Sequence, residues 1–243
     1  MLTYILLALG GISLIFFLLF RTKEGGIIPA ALKTLTSLFF VATAISAAVN
    51  NYIVVGPAGL NDRLIFIGLI LMGLVCGLIG DLTLDLKITY QTLNIRHSDL
   101  YTFFGMGAFG IGHIFYIIAV ALFFTFKAWT IAIAFGVTAA IFAISIFLMK
   151  MKFGKFLIPA IVYTLLLTLF LASTITAGAV CAFPVALILL TIGAGLFLLS
   201  DLVLSMTYFN ASESRVLIVI NHVLYYAAQF LIALSVYYIG MIL

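Results

Sequence analysis

Asp81, Asp85 and Asp201, together with His113, His222 and Lys33, stand inside or at the edge of long apolar runs. If lipid surrounds those runs, each ionisable side chain is costly and marks either a function or a buried pair. Two carboxylates in a low-dielectric cavity cannot both stay ionised cheaply, so Asp81 and Asp201 would divide into one acid and one anion. Such a pair suits general acid–base chemistry through an oxocarbenium-like state. A membrane-embedded hydrolase acting on a lipid fits this reading. A small proton-coupled transporter of a lipid or amphiphile is the alternative, because buried acids in parallel repeats also occur in transporters.

Composition decides whether lipid is the solvent. Of 243 residues, 66% are hydrophobic and 7% charged, and 23 are Phe; ordinary globular domains have about 45–50% and about 25%. No soluble fold of this size hides that much apolar surface. A soluble enzyme, a disordered chain and a secreted disulfide scaffold are therefore excluded. The net charge of +4 comes from loop lysines and arginines and implies no nucleic-acid partner. Cys76 and Cys181 both sit in apolar stretches and form no disulfide framework or metal cluster. The stretch from Leu2 to Phe20 lacks a basic segment before it and a cleavage site after it, and reads as a retained helix, not a removed signal peptide.

The elements that must position the acids follow from length. A spanning helix needs about 20 mostly apolar residues, and eight stretches qualify: 2–20, 33–55, 64–86, 101–126, 128–149, 156–178, 182–205 and 214–242. Gly25, Gly26 and Pro29 separate the first two, and Gly56, Pro57 and Gly59 the next two. Lys150, Lys152, Gly154 and Lys155 divide the fifth from the sixth, and Pro184 opens the seventh. Barrel strands would alternate apolar and polar residues over about 10 positions, and these runs do not. The expectation is an all-α membrane protein, an eight-transmembrane-helix bundle forming one domain over residues 1–243.

Nine of the eleven basic residues (Arg21, Lys23, Lys33, Lys87, Arg96, Lys150, Lys152, Lys155 and Arg215) fall on one side, and only Arg63 and Lys127 on the other. The positive-inside rule then puts both termini on the non-cytoplasmic side. The compact loops suggest a bacterial inner membrane. The chain also holds a faint internal repeat. Residues 78–84 resemble 198–204 around Asp81 and Asp201, and His113-x-x-Tyr116 resembles His222-x-x-Tyr225. Four helices per half would make two parallel repeats related by an axis along the membrane normal.

By helix geometry, Asp81 lies about 18 residues, or roughly 27 Å, into the third span. Asp201 lies at a similar depth in the seventh. Both would sit near the inner edge of the hydrocarbon. Asp85, one turn beyond Asp81, reads as a helix-end acid facing headgroups. Gly105, Phe109, His113 and Tyr116 form one stripe, and His222, Tyr225 or Tyr226, and Gln229 a second. Lys33, at the start of the second span, reads as a snorkelling lysine or a partner for phosphate or carboxylate. A metal site built from the histidines and acids would match no established ligand spacing, so no metal is expected.

An ordered set of motifs resembles the YhhN-like lysoplasmalogenases. They are Lys33 with Leu35-Thr36-Ser37; Gly80-Asp81; Phe104-Gly105 through Phe109 and His113 to Tyr116; Pro159 with Tyr163; Gly195, Phe197 and Ser200-Asp201; and Tyr225-Tyr226 with Gln229. Thr34 stands where that family usually has Pro. The resemblance implies an ether hydrolase that cleaves the vinyl ether bond of a lysophospholipid, a lysoplasmalogen, to a fatty aldehyde and a glycerophospho-base. It implies no metal or organic cofactor. Asp81 and Asp201 would be catalytic. Lys33 would hold the phosphate. His113, Tyr116 and Tyr226 would position water or headgroup, with Tyr163, Ser200, His222, Tyr225 and Gln229 completing the site on the cytoplasmic side.

Overall fold

A computed structural model describes residues 1–21, 26–55, 61–91, 95–209 and 214–240. Its eight helices are α1 (Leu2–Phe20), α2 (Ile27–Val55), α3 (Asn61–Gln91), α4 (Ile95–Phe123), α5 (Trp129–Ala143), α6 (Leu157–Val180), α7 (Val185–Phe209) and α8 (Arg215–Ile239). Helix α5 runs on through a π-helical turn at Ile144–Leu148, and a short 3-10 turn at Gly154–Phe156 leads into α6. All eight are long and apolar enough to cross a membrane, and the described residues contain no strand. The chain is an all-α, eight-helix integral membrane protein.

One boundary differs in a way that matters. Helix α2 starts at Ile27, so Pro29 lies in its first turn and does not break it. A first-turn proline lacks only an N–H that would have no intrahelical partner anyway. Lys33 is therefore carried into the helix proper. Gly25, Lys23, Gly56, Pro57, Gly59 and Leu243, and the side chain of Arg96, fall outside the described residues.

Lipid as solvent inverts the usual pattern of burial. Phe16, Ile45, Phe103 and Phe135 face outwards, while Thr36, Ser37, Thr43, Thr130, Thr138 and Thr168 are buried. Inside, hydroxyls pair between helices because an unpaired polar group has no water to turn to. Ser13 meets Thr36 at 2.9 Å and Thr3 meets Ser46 at 3.1 Å, joining α1 to α2. Thr138 meets Thr168 at 2.8 Å and Thr130 meets Thr176 at 3.1 Å, joining α5 to α6 in the same manner.

The packing partners repeat as well. Helix α1 packs on α2 as α5 does on α6, α3 on α4 as α7 on α8, α2 on α3 as α6 on α7, and α4 on α6 as α8 on α2. These pairs are those that a two-fold between helices 1–4 and 5–8 would generate. The close backbone approaches of α3 to α8 and of α1 to α8 have no equally close counterpart among the described residues, so the two halves are not equivalent around the acids.

Helix α3 presents glycines along the face that meets the site. A Cβ on Gly73 would lie 2.2 Å from the Tyr116 ring, and one on Gly80 would lie 2.6 Å from the Phe109 ring. The absent side chains let both rings approach the α3 backbone closely. Phe109 thereby lines the same cavity as Asp81.

Candidate active site

Asp81 is almost wholly buried near the end of α3 where α1 and α7 also deliver their C-termini. Its carboxylate is met by three donors. Lys33 Nζ stands 3.3 Å from Oδ1, while Ser37 Oγ donates to Oδ2 at 2.6 Å and Tyr225 donates to it at 2.7 Å. Lys33 also donates to the Asp81 backbone carbonyl at 3.3 Å and reaches Asp85 Oδ1 at 3.3 Å. Asp85 in turn lies 3.7 Å from Arg21 Nη1. A lysine and two hydroxyls converging on one carboxyl group favour its ionised form and offset part of the cost of burying it.

Behind this cluster runs a chain of neutral hydrogen bonds. Tyr116 donates to Gln229 Oε1 at 3.2 Å, Gln229 Nε2 donates to the Tyr225 hydroxyl at 3.1 Å, and Tyr225 donates onward to Asp81. Tyr226 donates to the Lys33 carbonyl at 3.1 Å. These bonds lock the tyrosines and leave Tyr225 a single donor direction, towards the carboxylate.

Asp201 is held differently. Tyr163 from α6 donates to its Oδ2, as Ser37 from α2 does to Asp81. Ser200 directs its proton to the Phe197 carbonyl at 2.7 Å and lies 3.5 Å from Asp201 Oδ1. Asn221 secures the Ser200 carbonyl at 2.7 Å. Among the described residues no basic side chain forms an ion pair with Asp201.

Asp81 and Asp201 line one cavity of about 240 Å³, with Arg21, Lys33, Lys87, Asn221, His222 and Tyr225 as its polar wall. A second cavity of about 90 Å³ adjoins it, walled by Met106, Phe142, Phe153, Leu167 and Leu198. Leu84, Phe109, Asp201, Leu204 and Tyr208 border both. Asp201 therefore stands on the partition between a chamber with charged side chains in its wall and a more apolar one.

Not every residue singled out in the sequence reaches this cavity. His113 lies in neither wall. Its Nδ1 donates to the Phe109 carbonyl at 2.8 Å, and its ring is enclosed by Phe197 at 4.5 Å, Tyr116 at 5.6 Å and Phe170 at 5.8 Å. It supports the aromatic wall from behind. Tyr116, Tyr226 and Gln229 likewise act behind the lining. His222 does face the cavity, with Nδ1 on the Ile218 carbonyl at 2.7 Å and its ring edge-on to Phe17 at 4.9 Å. Asp85 is not a headgroup-facing acid: it is buried, because two cations approach it from α1 and α2. Ser37 was visible only as part of a motif, and Arg21 and Lys87 only as loop charges; each depends on tertiary packing for its place. The described residues contain no cluster of three side chains able to ligate a metal.

The arrangement defines a polytopic membrane protein with the buried Asp81 and the partly buried Asp201 lining one cavity at one end of a helical bundle. A model of the YhhN family matches residues 28–236, most of the chain, and the chain belongs to that family, the family of the lysoplasmalogenases. Family membership indicates a hydrolase of the lysoplasmalogenase type. No curated protein and no solved structure matches the chain.

Proposed function

We propose that the protein hydrolyses the vinyl ether bond of lysoplasmalogens, with Asp201 as the proton donor and Asp81 as the fixed anion. The observation that carries this reading is the position of Asp201 on the partition between the chamber with the charged wall and the more apolar one. A single-chain lipid has its reactive bond at just such a partition, with the head on one side and the chain on the other. The carboxyl of Asp201 accepts from a tyrosine hydroxyl and, among the described residues, forms no ion pair, which suits a group that carries a proton to the reaction.

The steps balance without any further reactant. Asp201 gives its proton to the alkenyl carbon β to the ether oxygen, and the double-bond electrons form the new C–H bond. The oxocarbenium ion that results is stabilised by the Asp81 charge, in a site where few water dipoles compete. Water adds to the cationic carbon and returns a proton to Asp201. The hemiacetal then collapses, its hydroxyl proton passing to the departing glycerol oxygen, to leave a fatty aldehyde and a glycerophospho-base.

The test is aldehyde release from a lysoplasmalogen by purified protein in detergent, where no gradient exists. The expected result is one aldehyde per glycerophospho-base, with one solvent deuterium on the carbon next to the carbonyl when the reaction runs in D2O. Uptake in sealed vesicles with no aldehyde in detergent would establish a transporter instead.

The same reading places both termini on the non-cytoplasmic face of a bacterial inner membrane, with the site open to the cytoplasmic side. Loop charges support this, since Arg21, Lys87, Lys150, Lys152, Lys155 and Arg215 share one end of the bundle. A reporter that works only in the cytoplasm, fused after Leu243, is expected to stay silent; a signal from it would reverse the orientation.

A further inference from the structure

Lys33 is the lysine that the family motifs nominate for phosphate, yet its ammonium already faces two carboxylates at 3.3 Å each. Its charge is matched inside the protein. Two other cations line the same cavity and are less fully matched. The Arg21 side chain, at the C-terminal end of α1, is nine-tenths buried. Its Nη1 lies 3.7 Å from Asp85 Oδ1, and its Nε is buried with no hydrogen-bond partner among the described residues. A buried guanidinium N–H left without an acceptor is rare and costly, and an anion entering from the cavity would satisfy it. Lys87, two residues beyond Asp85 on α3, holds its ammonium 3.3 Å from the centre of the Tyr208 ring, on the same cavity wall. Among the described residues it makes no ion pair. Tyr208 is also one of the residues bordering the apolar chamber.

We infer that Arg21 and Lys87 form the phosphate subsite for the lysolipid headgroup, so that Lys33 serves to hold Asp81 and does not bind substrate. This inference rests on the hydrolase reading for its choice of ligand. The guanidinium offers Nε and a terminal nitrogen to two phosphate oxygens, as its fork geometry favours. The ammonium of Lys87 supplies a second positive charge from α3, on the wall of the same cavity. The chain then runs past Tyr208 and Asp201 into the apolar chamber. The phosphate thus sets how far the lipid enters, and with it which bond meets Asp201.

The test compares two vinyl ether substrates, a lysoplasmalogen and a 1-alkenylglycerol that lacks the phosphate. The wild-type protein is expected to prefer the phosphate-bearing substrate in kcat/KM. Arg21→Gln, and separately Lys87→Gln, are expected to lower that preference by about tenfold, the effect of one charge-assisted hydrogen bond. Arg21→Lys, which keeps the charge and loses the fork, is expected to fall between wild type and Arg21→Gln. An unchanged preference in both Gln variants would overturn the subsite. A binding arm does not depend on turnover: a non-hydrolysable alkyl lysophosphatidylethanolamine is titrated into wild type and variants in nanodiscs, with alkylglycerol as the comparison. Loss of the phosphate-dependent part of binding in the variants supports the subsite even if no hydrolysis is seen. Inorganic phosphate and glycerol 3-phosphate serve as competitors. If either saturates a site that requires Arg21 while lipid binding ignores Arg21, the headgroup assignment is wrong and the site belongs to a free phosphate ester.

Discussion

Asp201→Asn is expected to lower aldehyde release by about 10²–10⁴-fold, the range for losing a general acid, with lysolipid binding retained. The amide is nearly the same shape as the acid and can still accept from Tyr163, so the partition between the chambers stays in place. What it lacks is a proton acidic enough to give to carbon. The check is kcat for aldehyde formation beside an equilibrium measurement of lysolipid binding. A variant that keeps most of its turnover would remove Asp201 from the chemistry. The same substitution at Asp81 has a different meaning, because an amide there leaves Lys33 facing one carboxylate where it now faces two.

Lys33→Met is expected to destabilise the folded protein by about 3–5 kcal/mol, the usual consequence of removing one partner from a buried ion pair. Methionine matches the length of the lysine stem, so packing against α3 is largely kept and the loss is electrostatic. Asp81 would retain its two hydroxyl donors, Ser37 and Tyr225, and Asp85 would retain Arg21. Neither compensation replaces an ammonium shared by both. The measurement is thermal unfolding in detergent, and the expected result is a clear fall in Tm. Neutralising the acids together with the lysine, as Lys33→Met, Asp81→Asn and Asp85→Asn in one chain, should restore most of that stability, because neutral buried groups carry no unpaired charge. It should not restore activity. Restored turnover in the triple variant would show that no fixed anion is needed at Asp81.

The eight spans could be read directly, because a helix in lipid must bury every backbone polar group within its own ladder and must be apolar over the thickness of the bilayer. That requirement writes itself into local composition. Helix α1 runs over the stretch predicted for it. The helix ends that face water carry no such requirement and extend past the apolar stretches. Helix α3 continues to Gln91 and α4 begins at Ile95, because a helix does not stop where hydrophobicity stops. The shift at α2 has a similar origin: a proline breaks a helix interior but is tolerated in the first turn, where Pro29 lies.

Asp81 and Asp201 were also visible in the sequence, for an energetic reason: a carboxylate within a span is expensive wherever it points, so its mere presence is informative. Histidine carries less information because it can be neutral. His113 and His222 occupy matching places in the two halves, and each donates from Nδ1 to the carbonyl four residues back. Packing alone sends the first into an aromatic enclosure and the second to the cavity.

Composition and spacing by themselves determined the solvent, the number of helices and the two acids that lipid would not tolerate without cause, since each is a property of one residue or one stretch measured against its surroundings. Only the tertiary structure decided how the charges are shared. Lys33 joins Asp81 to Asp85, Arg21 is drawn in from α1, and Asp201 keeps a tyrosine in place of a cation. These are relations among five helices distant in sequence, and Coulomb energy in a low-dielectric interior depends on separations of a few ångströms, which no one-dimensional pattern records.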